Sequence, residues 1–147
     1  MLFRSLIEEL SKNHKIILIG SEKETELCEE LISESSSTVI NLSGKLSIVE
    51  TIELLKKAKL LISNDSAPTH FAMAADIKVL TIYCSTSPKF GFYPYNSKSR
   101  FLSMDNLRCK PCGIHGYKVC PLNNFECGNK LEVKDVLRTA NEMLNEK

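Results

Sequence analysis

A chain of 147 residues, 43% hydrophobic and 25% charged, has room for one compact domain with a core of several strands and helices, and is neither disordered nor fibrous in composition. The 19 Lys and Arg against 18 Asp and Glu leave no global positive field, which argues against nucleic acid as a partner. No run approaches the roughly 18 apolar residues needed to span a bilayer, and the first ten residues carry Arg4, Glu8 and Glu9 where a signal peptide would be apolar, so a cytoplasmic protein is expected.

In chain order, Leu2, Phe3, Leu6, Ile7 and Leu10 fall at helical spacing, and the short apolar run Ile16 to Ile19, closed by Gly20, reads as a buried strand. A helix is expected from about Glu24 to Ser33, a break at Ser35 to Ser37, and a second strand from Thr38 to Leu42. Ser47 with Glu50 three residues on is a capping box, which starts a helix running from Ile48 to about Lys57. Leu60 to Ser63 makes a third strand, Pro68 suits the first turn of a helix reaching about Ala75, and Val79 to Tyr83 makes a fourth strand. Residues 85–96 form a loop rich in Ser, Pro, Gly and aromatics, a last strand is expected near Arg100 to Met104, and Val133 to Leu144 closes the chain as an amphipathic helix. Short apolar strands alternating with amphipathic helices predict an α/β fold, a parallel sheet with helices on both faces.

Ligands of open parallel sheets bind beyond the carboxyl ends of the strands, so the residues after each apolar run are the informative ones. Gly20 with Glu24 offers close backbone approach and a carboxylate suited to ribose hydroxyls, or else a plain turn and helix-start acids. Gly44, Lys45 and Leu46 follow the second strand, where Lys45 could meet a phosphate or simply be solvated. The strongest segment is Ser63-Asn64-Asp65-Ser66-Ala67-Pro68-Thr69-His70, which places small and hydroxyl residues at a helix start, where backbone N–H groups and the positive dipole end suit a diphosphate. The competing local reading makes Asp65 a helix N-cap and leaves Thr69 and His70 on the helix surface. After the fourth strand, the hydroxyls and amides of Cys84 to Pro88 are expected to face the same crevice, with Phe90 to Tyr95 covering a ligand or meeting a second domain.

The run Ile62 to Ala75, ISNDSAPTHFAMAA, resembles the NDSGPxHLAAA signature of glycosyltransferase family 9, whose best-known members are ADP-heptose:lipopolysaccharide heptosyltransferases. VLTIYCSTSP at Val79 to Pro88 is similar to the family's xxALFGPTSP, GFYPY falls at its proline-aromatic patch, and Gly20 with Glu24 matches its glycine and glutamate four apart. The resemblance covers essentially the whole chain. It implies a Rossmann-like domain, the C-terminal half of a two-domain GT-B glycosyltransferase, with residues 1–147 forming the donor domain. It further implies that Asp65 binds the heptose, that Ser66, Ala67, Pro68, Thr69 and His70 line the diphosphate, that Glu24 holds the ribose or adenine side and that Leu46 packs on the base. Two departures stand out: Ala67 replaces the family's glycine, and Cys84-Ser85 replace Gly-Pro.

The function implied is inverting transfer of heptose from ADP-heptose, or a related nucleotide-sugar, to a lipid-linked lipopolysaccharide core oligosaccharide, with no cofactor required for catalysis. The chemistry needs a base for the acceptor hydroxyl and fixed donors for the departing diphosphate. The family's base lies in its N-terminal domain, so no catalytic residue is assigned in this chain, which on its own is expected to be an inactive fragment or half of a split enzyme. Its expected place is the cytoplasm, at the inner face of the inner membrane. A stand-alone nucleotide- or zinc-binding module without transferase activity is the rival reading, and a nonfunctional truncated copy is the third.

Residues 105–130 are set apart by four cysteines. Cys109 and Cys112 form a CxxC pair, followed by Cys120 and Cys127, a ligand count that fits a tetrahedral structural zinc; free thiols or disulfides are the alternatives. His115 is a fifth, unneeded candidate, and Cys28 and Cys84 stand apart.

Overall fold

A computed structural model describes residues 2–32 and 39–146. The expected end of the second helix at Ser33, the break at Ser35 to Ser37 and the strand start at Thr38 lie outside the described residues. The chain divides into two compact units, residues 1–53 and 54–147.

In the first unit, helix α1 (Leu2–Leu10) buries Leu6, Ile7 and Leu10, the stripe that its sequence spacing predicts. Strand β1 (Ile16–Leu18) pairs in parallel with β2 (Val39–Asn41), Ile16 opposite Val39 and Leu18 opposite Asn41. A 3-10 turn at Glu22–Glu24 leads into α2 (Thr25–Ile32), which buries Cys28 and Leu31 and lies against α1 and β2. Helix α3 (Ile48–Leu55) crosses the boundary between the units and opens on the expected capping box: the Glu50 carboxylate accepts the Ser47 N–H at 2.8 Å and its hydroxyl at 2.7 Å. These two bonds hold the exposed Glu50 carboxyl below its ordinary pKa.

The second unit is built on β3 (Leu60–Asn64), β4 (Lys78–Tyr83) and β5 (Arg100–Ser103), all parallel, with β4 in the middle. Successive strand side chains point to opposite faces, and every residue from Val79 to Tyr83 is buried, so β4 is covered on both faces. Helices α4 (Ala67–Ala74) and α6 (Val133–Asn145) both lie on β3 and β4, and α6 contributes Val136, Ala140 and Met143, none of them exposed. Lys78 at the start of β4 donates to the carbonyls of Met143 and Glu146 at the end of α6, and Arg100 at the start of β5 pairs with Glu142 at 2.6 Å.

The α/β class, the parallel strand pairing and the helix–strand alternation agree with the sequence. The five strands form two hydrogen-bonded ladders, one of two strands and one of three, each inside its own unit. One short helix is unforeseen, α5 (Glu126–Asn129), whose four residues are too few to show a helical period. Among the described residues no helix is long and apolar enough to cross a membrane.

Candidate functional site

In the second unit, β3 ends at Asn64 and α4 starts at Ala67, so Asp65 and Ser66 make the whole strand-to-helix turn. Ser66 occupies the N-cap position with extended backbone but makes no side-chain capping bond. Its hydroxyl is turned back to the Asn64 carbonyl at 3.3 Å, and Pro68 in the first turn has no N–H to offer. Asp65 is therefore not the helix cap. Its own N–H is fixed to the Ile82 carbonyl at 3.2 Å, which ties the turn to the end of β4 and leaves the half-buried carboxylate at the mouth of the helix. The result is a helix N-terminus without a side-chain cap, flanked by a carboxylate, which suits a phosphate group next to a hydroxyl-rich one.

The remaining residues of the segment divide by exposure. Ser66, Ala67 and His70 are exposed and Pro68 is half-buried. Thr69 is buried, and its hydroxyl donates to the Asn64 carbonyl at 3.3 Å, so its side chain braces the turn rather than lining it. The His70 ring meets Phe92 edge-on, 6.4 Å between centroids, which joins the aromatic patch to the helix start. Phe92 is held by Tyr83, whose buried hydroxyl donates to the Phe92 carbonyl. Burial, and then the charge of Asp65, push the Tyr83 pKa well above that of an ordinary tyrosine.

Thr86 and Ser87 are buried, the Ser87 hydroxyl accepts the Lys89 N–H at 3.3 Å, and the Ser85 carbonyl accepts the Cys112 N–H at 2.7 Å. The Cys-rich segment thus reaches the end of β4, a long-range contact that local sequence does not display. The fastening is completed by Lys110, whose side chain is only 3% exposed: Nζ donates to the Tyr83 carbonyl at 2.9 Å and to the Ser103 hydroxyl, with Asp105 at 3.7 Å. Nothing in the sequence distinguishes Lys110 from the surface lysines.

In the first unit, Gly20, Glu24, Gly44, Lys45 and Leu46 form one cluster of loops. The Gly44 N–H donates to the Gly20 carbonyl at 2.9 Å, and Gly44 has φ of 69° with room for no side chain, because an added Cβ would stand 2.9 Å from the Glu22 Cα. The Glu24 carboxylate turns back to accept the Ser21 N–H at 2.7 Å and hydroxyl at 2.8 Å, so one of its oxygens serves the local helix start. The exposed Lys45 Nζ rests on the Asn41 carbonyl at 3.1 Å, and Leu46 is half-buried.

Cys109, Cys112, Cys120 and Cys127 all line one cavity of about 280 Å³ in the second unit, while His115 is exposed and lies outside its lining. Among the described residues, no three His, Cys, Asp or Glu side chains already stand as a metal-holding group. All six cysteines are free thiols. The backbone amides of Phe125, Asn124, Leu122 and Asn123 hold the Cys120 thiol below its ordinary pKa, whereas burial raises that of Cys127, against the opposing influence of Lys110.

Compared with known proteins, residues 2–120 match the model of glycosyltransferase family 9 (heptosyltransferase). Lipooligosaccharide heptosyltransferase 2 of Campylobacter jejuni is 29% identical over 97% of this chain and 44% of its own length. Lipopolysaccharide heptosyltransferase 1 of Campylobacter coli is 33% identical over 99% of this chain and 41% of its own. Among solved structures, a glycosyl transferase family 9 protein from Veillonella parvula superposes with a TM-score of 0.82 at 20% identity, covering 99% of this chain and 41% of that one. E. coli ADP-heptose lps heptosyltransferase II superposes with a TM-score of 0.80 at 22% identity, covering 97% and 40%. The chain thus spans less than half the length of these relatives.

Proposed function

The chain belongs to glycosyltransferase family 9, and from that premise we propose that it is the donor-binding domain of a heptosyltransferase, the C-terminal half of a GT-B enzyme that takes ADP-heptose and passes heptose to a lipopolysaccharide core acceptor. The observation that carries the reading is the start of α4: a helix N-terminus with no side-chain cap, beside a half-buried carboxylate that has no capping duty. The helix-start amides and dipole hold the diphosphate, His70 adds a donor beside it, and Asp65 accepts hydrogen bonds from the sugar hydroxyls. As the glycosidic bond breaks, negative charge gathers on the leaving diphosphate, and donors already aimed there stabilise it without rearranging; no cofactor is needed for that step. The base that takes the acceptor's proton lies, in this proposal, in a part of the enzyme outside these residues, so the chain alone binds donor without transferring it. The nucleoside roles of Glu24 and Leu46 rest on the resemblance, and Glu24→Ala tests the first of them separately. The enzyme is proposed to act in the cytoplasm, at the membrane face where its lipid-linked acceptor is presented.

Isothermal titration of the folded chain with ADP-heptose and with ADP tests the proposal. Asp65→Ala should weaken ADP-heptose about 10- to 100-fold, the range for losing hydrogen bonds to a charged group, and change ADP far less; His70→Ala should weaken both. Absence of binding to either ligand by a folded sample would overturn the reading.

A further inference from the structure

From Met104 to Phe125 the second unit has no helix or strand, yet this long segment lies in an ordered course over the ends of β4 and β5. Long stretches without secondary structure are uncommon in compact domains and need something to hold them. Hydrophobic burial does not do it here, because Ile114, Tyr117, Val119 and Leu122 are all more than half exposed. The attachments described are few: Cys112 to the Ser85 carbonyl, and Lys110 to Tyr83 and Ser103. What the segment does share is one cavity into which four thiol-bearing residues from three separate places in the chain are brought, the CxxC pair, Cys120 and Cys127 at α5.

We propose that Cys109, Cys112, Cys120 and Cys127 bind one structural zinc ion, which fastens the irregular segment and α5 to the sheet end of the second unit. Four sulfur ligands and no open position make a closed tetrahedral site, whose role is to hold structure rather than to take part in chemistry. As placed, the side chains line the cavity without closing on one point. Neutral thiols gain little from converging; they converge once their protons are released and a cation compensates the charge. Amides of residues 122–125 surround the Cys120 sulfur and provide the N–H donors that a metal-bound thiolate accepts. His115, exposed and outside the cavity, is not a ligand. The zinc proposal does not depend on the donor reading.

The experiment uses the full chain, purified under reducing conditions without chelator, with zinc measured by mass spectrometry of the metal. About one zinc per chain is expected, and replacement by cobalt(II) should give the intense visible bands of a tetrahedral thiolate site. Cys120→Ser and Cys127→Ser should each lower bound zinc about tenfold or more under competition from a chelator, while Cys28→Ala, in the other unit, should leave it unchanged. If either serine variant fails to fold, alkylation of the wild-type chain decides: zinc should protect these four cysteines and not Cys28 or Cys84. Metal-free wild-type protein after zinc addition, equal alkylation with and without zinc, or isolation of the four cysteines as disulfides would each overturn the proposal.

Discussion

Tyr83 shows how much of the site depends on one side chain that sequence alone does not single out. Its hydroxyl is buried, donates to the Phe92 carbonyl and feels the charge of Asp65, so its pKa in the folded protein stands above the ordinary value of about 10. A proton held more tightly in the folded state stabilises it fully below about pH 10, and this contribution is lost as pH rises through the raised value. Urea midpoints of the wild type should therefore fall between about pH 8 and about pH 11 more steeply than those of Tyr83→Phe; equal slopes would contradict the assignment. Lys110 is the second such residue. Lys110→Met removes the buried donor from the Tyr83 carbonyl and the Ser103 hydroxyl and should cost about 1–3 kcal/mol in chemical denaturation. The sequence made Asp65, Ser66 and His70 legible because residue type and position after a strand carry that signal. Thr69, Tyr83 and Lys110 were not legible as bracing residues, because their roles come from a carbonyl or carboxylate reached only in the folded chain.

Among elements, α3 and α6 show opposite kinds of legibility. The capping box of α3 could be read from Ser47 and Glu50 because it is local, and the structure forms it as expected. Since those bonds depress the Glu50 pKa, their stabilisation is present above the ordinary carboxylate pKa and disappears as pH falls through the lowered value. Glu50→Gln should thus destabilise the protein near neutral pH and converge with wild type in acid, as followed by urea titration at a series of pH values. Helix α6 was legible as an amphipathic segment, but the clamp on its end by Lys78 and Arg100 was not, since these partners lie on strands far away in the chain. Its core contact is strong: Met143, with no exposed surface, should cost about 2–5 kcal/mol when changed to Ala, measured by the unfolding of the second unit.

For the whole molecule, parallel α/β architecture emerged from the alternation of short apolar runs with amphipathic helices, whereas the division into units at residues 53 and 54, within α3, had no sequence signal such as a Pro- or Gly-rich linker. A ligand that binds only the folded state adds stability by mass action, about 2.7 kcal/mol at a concentration 100 times its dissociation constant. ADP-heptose at that concentration should therefore slow amide hydrogen exchange in α4, and the 10- to 100-fold weaker binding of Asp65→Ala should cut the gain to about 0.4–1.4 kcal/mol and the slowing with it. Uniform exchange rates with and without the ligand in the wild type would count against a site there. Tyr83 also gives this domain a means of being watched. The chain has no tryptophan and only four tyrosines, so its near-ultraviolet absorption and emission come chiefly from phenol rings. One of the four has its hydroxyl buried within the electrostatic reach of the proposed sugar-binding carboxylate, which makes it an optical probe that needs no label.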